Sequence, residues 1–68
     1  MISAHCKRIL DDFEVRTKEI CWSFREVRAV VMCFAWREME EKHIPFREAV
    51  RRAWDWVRDK CHAAGAYI

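Results

Sequence analysis

The sequence predicts an all-α fold: two or three amphipathic helices packed as a helical hairpin or small bundle, completed by oligomerisation. Three observations carry that reading. Glycine and proline occur once each in 68 residues, while apolar residues make up 53% and charged residues 35%. That mixture suits helices and disfavours a sheet built on hairpin turns. Apolar residues also recur at three- and four-residue spacing along nearly the whole chain, the signature of one buried helix face. Finally, a chain of 8.3 kDa exposes about 12,000 Å² unfolded and about 4,600 Å² folded. Burying the apolar part of the difference contributes on the order of 105 kcal/mol. Ordering the chain costs about 100 kcal/mol. So thin a margin calls for a staple, a metal or a partner chain.

Residues 1–68 form a single domain, since the chain is too short for two. The first helix spans about residues 3–22, with Ser3 as its cap and an apolar stripe of Cys6, Ile9, Leu10, Phe13, Thr17, Ile20 and Cys21. Lys7, Asp11, Glu14 and Lys18 lie off that stripe. Ser23-Phe24-Arg25-Glu26 matches a capping box, which starts a second helix over about 24–42. The rival reading is one unbroken helix. Cys6, Leu10, Phe13, Thr17, Ile20, Phe24, Val27, Val31 and Phe34 keep heptad spacing without a slip, and no Gly or Pro intervenes. Such a rod would run roughly 60 Å at 1.5 Å per residue and would need a partner to cover its stripe.

The segment Val27 to Met39 is apolar nearly all round. Phe24, Val27, Val31, Phe34 and Ala35 make one face, and Val30, Met32, Cys33 and Trp36 spread over the rest. A helix of this kind is buried on more than one side. In a chain so short the second side is expected to meet another molecule. His43-Ile44-Pro45 ends the helix, because a residue before proline avoids the helical region. Proline then opens a last helix over about 45–64. Its core face is Phe46, Ala49, Val50, Ala53, Val57, Cys61 and Ala64, flanked by Trp54 and Trp56. Gly65 stands as its C-terminal cap, and Ala66, Tyr67 and Ile68 make a short apolar tail able to fold back.

The cysteines Cys6, Cys21, Cys33 and Cys61 read as reduced, buried thiols. The start of the chain, Met1 to His5, lacks a basic stretch followed by a long apolar one, so a cytoplasmic location with free thiols is the expectation. Disulfides and metal ligation are the alternatives. For a metal, His5, Cys6, Cys21, Cys33, His43, Cys61 and His62 show no CxxC or HxxxH spacing, and no metal or other cofactor is expected. The longest apolar run, Ala29 to Trp36, is far short of the ~20 residues of a membrane span, and no membrane partner is expected.

Enzymatic chemistry finds no foothold. Nothing marks a reactive thiolate, there is no Gly-rich loop, and the adjacent Asp11 and Asp12 face different ways. The function expected is therefore contact: a protein–protein interaction protein, self-associating as a homodimer or binding an unknown protein. Its interface would be Val30, Met32, Cys33 and Trp36, with Trp54 and Trp56 as anchors, since aromatic and arginine side chains dominate interface energetics. The alternative is a nucleic-acid-binding or transcription-regulatory module. Arg47, Arg51 and Arg58 fall within about 40° of one another beside Trp54, a stripe able to grip phosphates. Against it, the net charge is only +2, and Glu48–Arg52, Arg51–Asp55 and Asp55–Arg58 have the spacing of intrahelical ion pairs.

Ile44-Pro45-Phe46-Arg47-Glu48-Ala49-Val50-Arg51-Arg52-Ala53-Trp54 resembles a stretch of short helical proteins carried by phages and other mobile elements. In those an apolar residue precedes a Glu-Ala or Glu-Ser pair and then an Ala-Trp. The match covers about a sixth of the chain, and the four cysteines and Trp56 depart from the pattern. The resemblance implies a small accessory protein acting on a host or phage partner, with no enzymatic site.

Overall fold

A computed structural model describes residues 2–66. The described residues are all-α, with four helices: α1 (Ala4–Val15), α2 (Thr17–Cys21), α3 (Phe24–Lys42) and α4 (Phe46–Ala63). The expectation of two or three helices is corrected by the separate five-residue α2. The unbroken rod is excluded too, since the molecule's longest extent is 32 Å.

Thr17 is where the rod fails. Its hydroxyl donates to the Phe13 carbonyl at 2.6 Å, taking the acceptor that its own backbone N–H would use in a continuing helix. Arg16 leaves the helical region at φ −112° and ψ 34°. Its guanidinium then spans the corner. Nε donates to Glu19 at 3.0 Å and Nη1 to Asp12 at 2.9 Å, and Glu26 of α3 lies 3.7 Å from Nη1. The hydrogen bond to Glu19 comes first, with Asp12 and Glu26 adding to it, in holding the Arg16 pKa above its usual value.

The remaining boundaries follow local chemistry. Ser3 accepts from the Cys6 N–H at 3.2 Å and Ser23 from the Glu26 N–H at 3.4 Å. Only half of the capping box forms, because the Ser23 N–H donates to the Ile20 carbonyl and the Glu26 carboxylate turns to Arg16. His43 closes α3 in the left-handed region at φ 54°, its N–H on the Met39 carbonyl. Pro45 is the N-cap of α4 rather than its first residue. Gly65, at φ +80°, turns the chain after α4, and the Ala66 N–H donates back to the Cys61 carbonyl at 2.9 Å. Ala66 is buried; Tyr67 and Ile68 of the expected tail lie outside the described residues.

With α1 and α2 folded back, the core closes within one chain. Leu10, Phe13, Ile20, Val27, Val30, Val31, Ala35, Ala49, Ala53 and Val57 are among its buried members. The exposed area of 4880 Å² is close to the roughly 4,600 Å² of an ordinary monomer of this mass. This corrects the expectation that oligomerisation completes the fold. Two residues assigned to core faces stand outside: Phe24 is 73% exposed and Phe46 45%. Each is the first residue of its helix, before the buried stripe begins.

The cysteines are buried, as small apolar groups would be, but they are not free thiols. Cys6 is bonded to Cys33 and Cys21 to Cys61, across Cα separations of 5.2 and 5.8 Å. The first bond joins α1 to α3 and the second α2 to α4. They supply the staple that the small core calls for.

Candidate interaction surface

The expected interface residues do not form one surface. Val30 and Cys33 are 1% and 3% exposed, because α1 covers that side of α3 and Cys33 is bonded to Cys6. They cannot serve as contact residues on the folded chain. Trp56 is half-buried, stacked on Phe34 with ring centroids 4.5 Å apart and tilted against Phe13 at 5.3 Å. Its ring joins α1, α3 and α4, a structural post.

Met32 and Trp36 do reach the surface. Met32 is half-buried and Trp36 is 49% exposed. Both line a cleft of about 240 Å³ between α1 and α3, with His5, Ile9, Ala29 and the Cys6–Cys33 bond. A second cleft of about 200 Å³ continues it towards Ile20, Arg25 and Glu26, sharing Ile9 and Ala29. Ile9 is itself half-buried against the core, so the groove has an apolar floor.

Trp54 is half-buried. Two residues from Trp56, it points about 200° away around α4, to the flank opposite α1. Arg47, Arg51 and Arg58 are exposed beside it. Arg47 and Arg51 line an open recess of about 480 Å³ with Pro45 and Glu48. Of the three ion pairs that the spacing suggests, only Glu48–Arg52 forms, at 3.4 Å. Among the described residues Arg47, Arg51 and Arg58 have no ion-pair partner.

Sequence reasoning missed the corner held by Arg16 and the exposed apolar group of Val15, Trp22 and Phe24, 83%, 65% and 73% exposed. Ser23 was the available signal for Phe24, since a cap there makes Phe24 the first residue of its helix, ahead of the buried stripe. Among the described residues no three of His, Cys, Asp and Glu come together as a metal site, and no helix is long and apolar enough to cross a membrane. No protein-family model, curated protein or solved structure matches the chain.

Proposed function

We propose that this chain is a small accessory protein that acts by contact, binding another protein through the outward surface of α3. The observation that supports this best is Trp36, half exposed over an apolar cleft beside Met32, Ile9 and Ala29. A large aromatic ring at the rim of an apolar cleft is the usual composition of an interface anchor. A second copy of the chain is the first partner to test, and an acting partner of host or phage origin fits the resemblance of Ile44 to Trp54. On α3 the interface is narrowed to Met32 and Trp36, and Trp54 belongs to the other flank, on α4. Trp36→Ala is expected to weaken association while leaving the unfolding midpoint nearly unchanged. Light scattering across a concentration series, with differential capture by wild type and variant, measures it. Equal association of the two proteins overturns the assignment of Trp36.

A second reading has its own support in the unpaired Arg47, Arg51 and Arg58 beside Trp54: a nucleic-acid-binding module gripping phosphates. Its mark is steep salt dependence with duplex or single-stranded oligonucleotides, and no shift at low salt removes it.

A cytoplasmic setting belongs to the same proposal. Two buried disulfides count against it, because the cytosol keeps thiols reduced. Counting free thiols in protein extracted under acid quench decides the point.

A further inference from the structure

The flanks of α3 and α4 that face away from α1 carry one sign of charge. On α3 the side toward α1 is fixed by Cys33, bonded to Cys6, and by Val30, which shares the groove with Ile9. Arg28 stands about 140° around the helix from Cys33. Met39 follows about 20° further on, and beyond it Met32 already belongs to the cleft beside α1. On α4 the side toward α1 is fixed by Trp56, so Trp54, Arg47, Arg58 and Arg51 fill a sector of about 60° on the other side. The fully buried Ala35 lies within about 20° of Arg28 and places that flank of α3 beside α4.

The sector of α3 from Arg28 to Met39 and the sector of α4 from Trp54 to Arg51 contain no acidic residue. Asp55 and Glu48 lie further around α4, and Glu48 is engaged by Arg52. Arg28, like the three arginines of α4, has no ion pair among the described residues. Four unneutralised guanidiniums therefore flank a strip whose floor is Met39, Val50 and Trp54, all half-buried. From Arg47 to Arg58 the row runs roughly 16 Å at 1.5 Å per residue, about three turns of a helix.

We propose that this α3–α4 face binds an acidic amphipathic helix of a partner protein. The inference rests on the reading that the chain acts by contact, and it names the partner's chemistry. Arginine matches carboxylates bidentately, and methionine, valine and tryptophan between the arginines match the apolar side of a helix laid in a groove. A phosphate backbone offers Met39 and Val50 no apolar counterpart, so a protein segment is favoured over nucleic acid.

The test uses the full chain and a fluorescent peptide of leucine and glutamate patterned as an amphipathic helix. Its controls are a scrambled peptide of equal composition and charge, and single- and double-stranded oligonucleotides. The patterned peptide is expected to bind more tightly than the scrambled one. Arg51→Glu with Arg58→Glu should weaken binding about tenfold or more, and Arg8→Glu on α1 should leave it unchanged. Circular dichroism confirms that each variant folds. Equal binding of the two peptides, or retention in the double variant, overturns the proposal. Tighter, arginine-dependent binding of an oligonucleotide overturns it in favour of nucleic acid. If the peptide does not bind while Trp36-dependent association persists, the acidic partner is excluded and the contact reading stands.

Discussion

Phe34 of α3 and Trp56 of α4 stack with ring centroids 4.5 Å apart and planes 19° from parallel. Phe13 of α1 meets the same indole at 5.3 Å and 57°. Three helices thus converge on one side chain. Trp56→Ala is expected to cost about 3 kcal/mol, the low end for loss of a large aromatic because the ring is only half-buried. Trp54→Ala, on the opposite flank, should cost under about 1 kcal/mol. Urea unfolding of both variants checks the contrast, and equal losses would contradict the assignment of Trp56 as the post.

The disulfides close loops of 27 and 40 residues. Loop-closure entropy assigns them about 3.5 and about 4 kcal/mol. Replacing Cys6 and Cys33 together by alanine, or Cys21 and Cys61, should lower stability by amounts of that order. Reduction of both bonds should lose cooperative unfolding altogether, because the margin of so small a core is only a few kcal/mol. Thermal melts with and without a phosphine reductant measure it. An unchanged midpoint on reduction would show that the cross-links are dispensable.

His43 holds the left-handed conformation at φ 54°, which a residue with a Cβ adopts at a cost of roughly 1 kcal/mol. His43→Gly relieves that cost but adds freedom to the unfolded chain. The net expectation is a stabilisation of up to about 0.5 kcal/mol, read as a raised melting temperature. His43→Val should lower it.

Glu38 is the one charged side chain in the described core, 7% exposed, with Lys42 Nζ at 3.4 Å. Lys42 is half exposed, so Lys42→Ala should cost about 0.3–1 kcal/mol. Glu38→Gln with Lys42→Ala should recover part of that loss, since the amide is neutral. A double-mutant cycle in urea separates the two. Additive losses would mean that the pair is not coupled.

Arg16 answers to pH and salt. Its folded pKa is raised by Glu19, Asp12 and Glu26, so its contribution is complete below its unfolded value and disappears only as pH climbs through the higher folded one. No loss from Arg16 itself is expected across neutral pH. Arg16→Gln should speed amide exchange at Thr17 to Cys21, and the difference should shrink in high salt because the site is exposed. Unchanged exchange would show that Thr17 alone holds the corner.

Local chemistry was legible where a side chain speaks to its own backbone. Ser3, Ser23 and Gly65 announce their helix ends, and Pro45 does so within one residue. The helix break at Thr17 was hidden, because a hydroxyl on the Phe13 carbonyl leaves heptad spacing intact. That break decides the rest. Once α1 folds back, Val30 and Cys33 pass from an expected contact surface into the core, and Cys6 comes within bonding distance of Cys33. Periodicity places residues on a face but does not say which neighbour the face meets. For the same reason Trp54 and Trp56 read alike in sequence, though only Trp56 meets α1.

The two cross-links also interleave: Cys21 lies between Cys6 and Cys33, and Cys33 lies between Cys21 and Cys61. A backbone cut anywhere between Cys6 and Cys61 therefore leaves two pieces still tied by at least one sulfur bridge. Hydrolysis at the α3–α4 connection, around Ile44, would add the mass of one water and release no fragment. Both halves would stay tethered at high effective concentration. A nicked molecule would run as a single species until a reductant separated it, so the chain's integrity is kept by its graph of bonds as much as by its linear backbone.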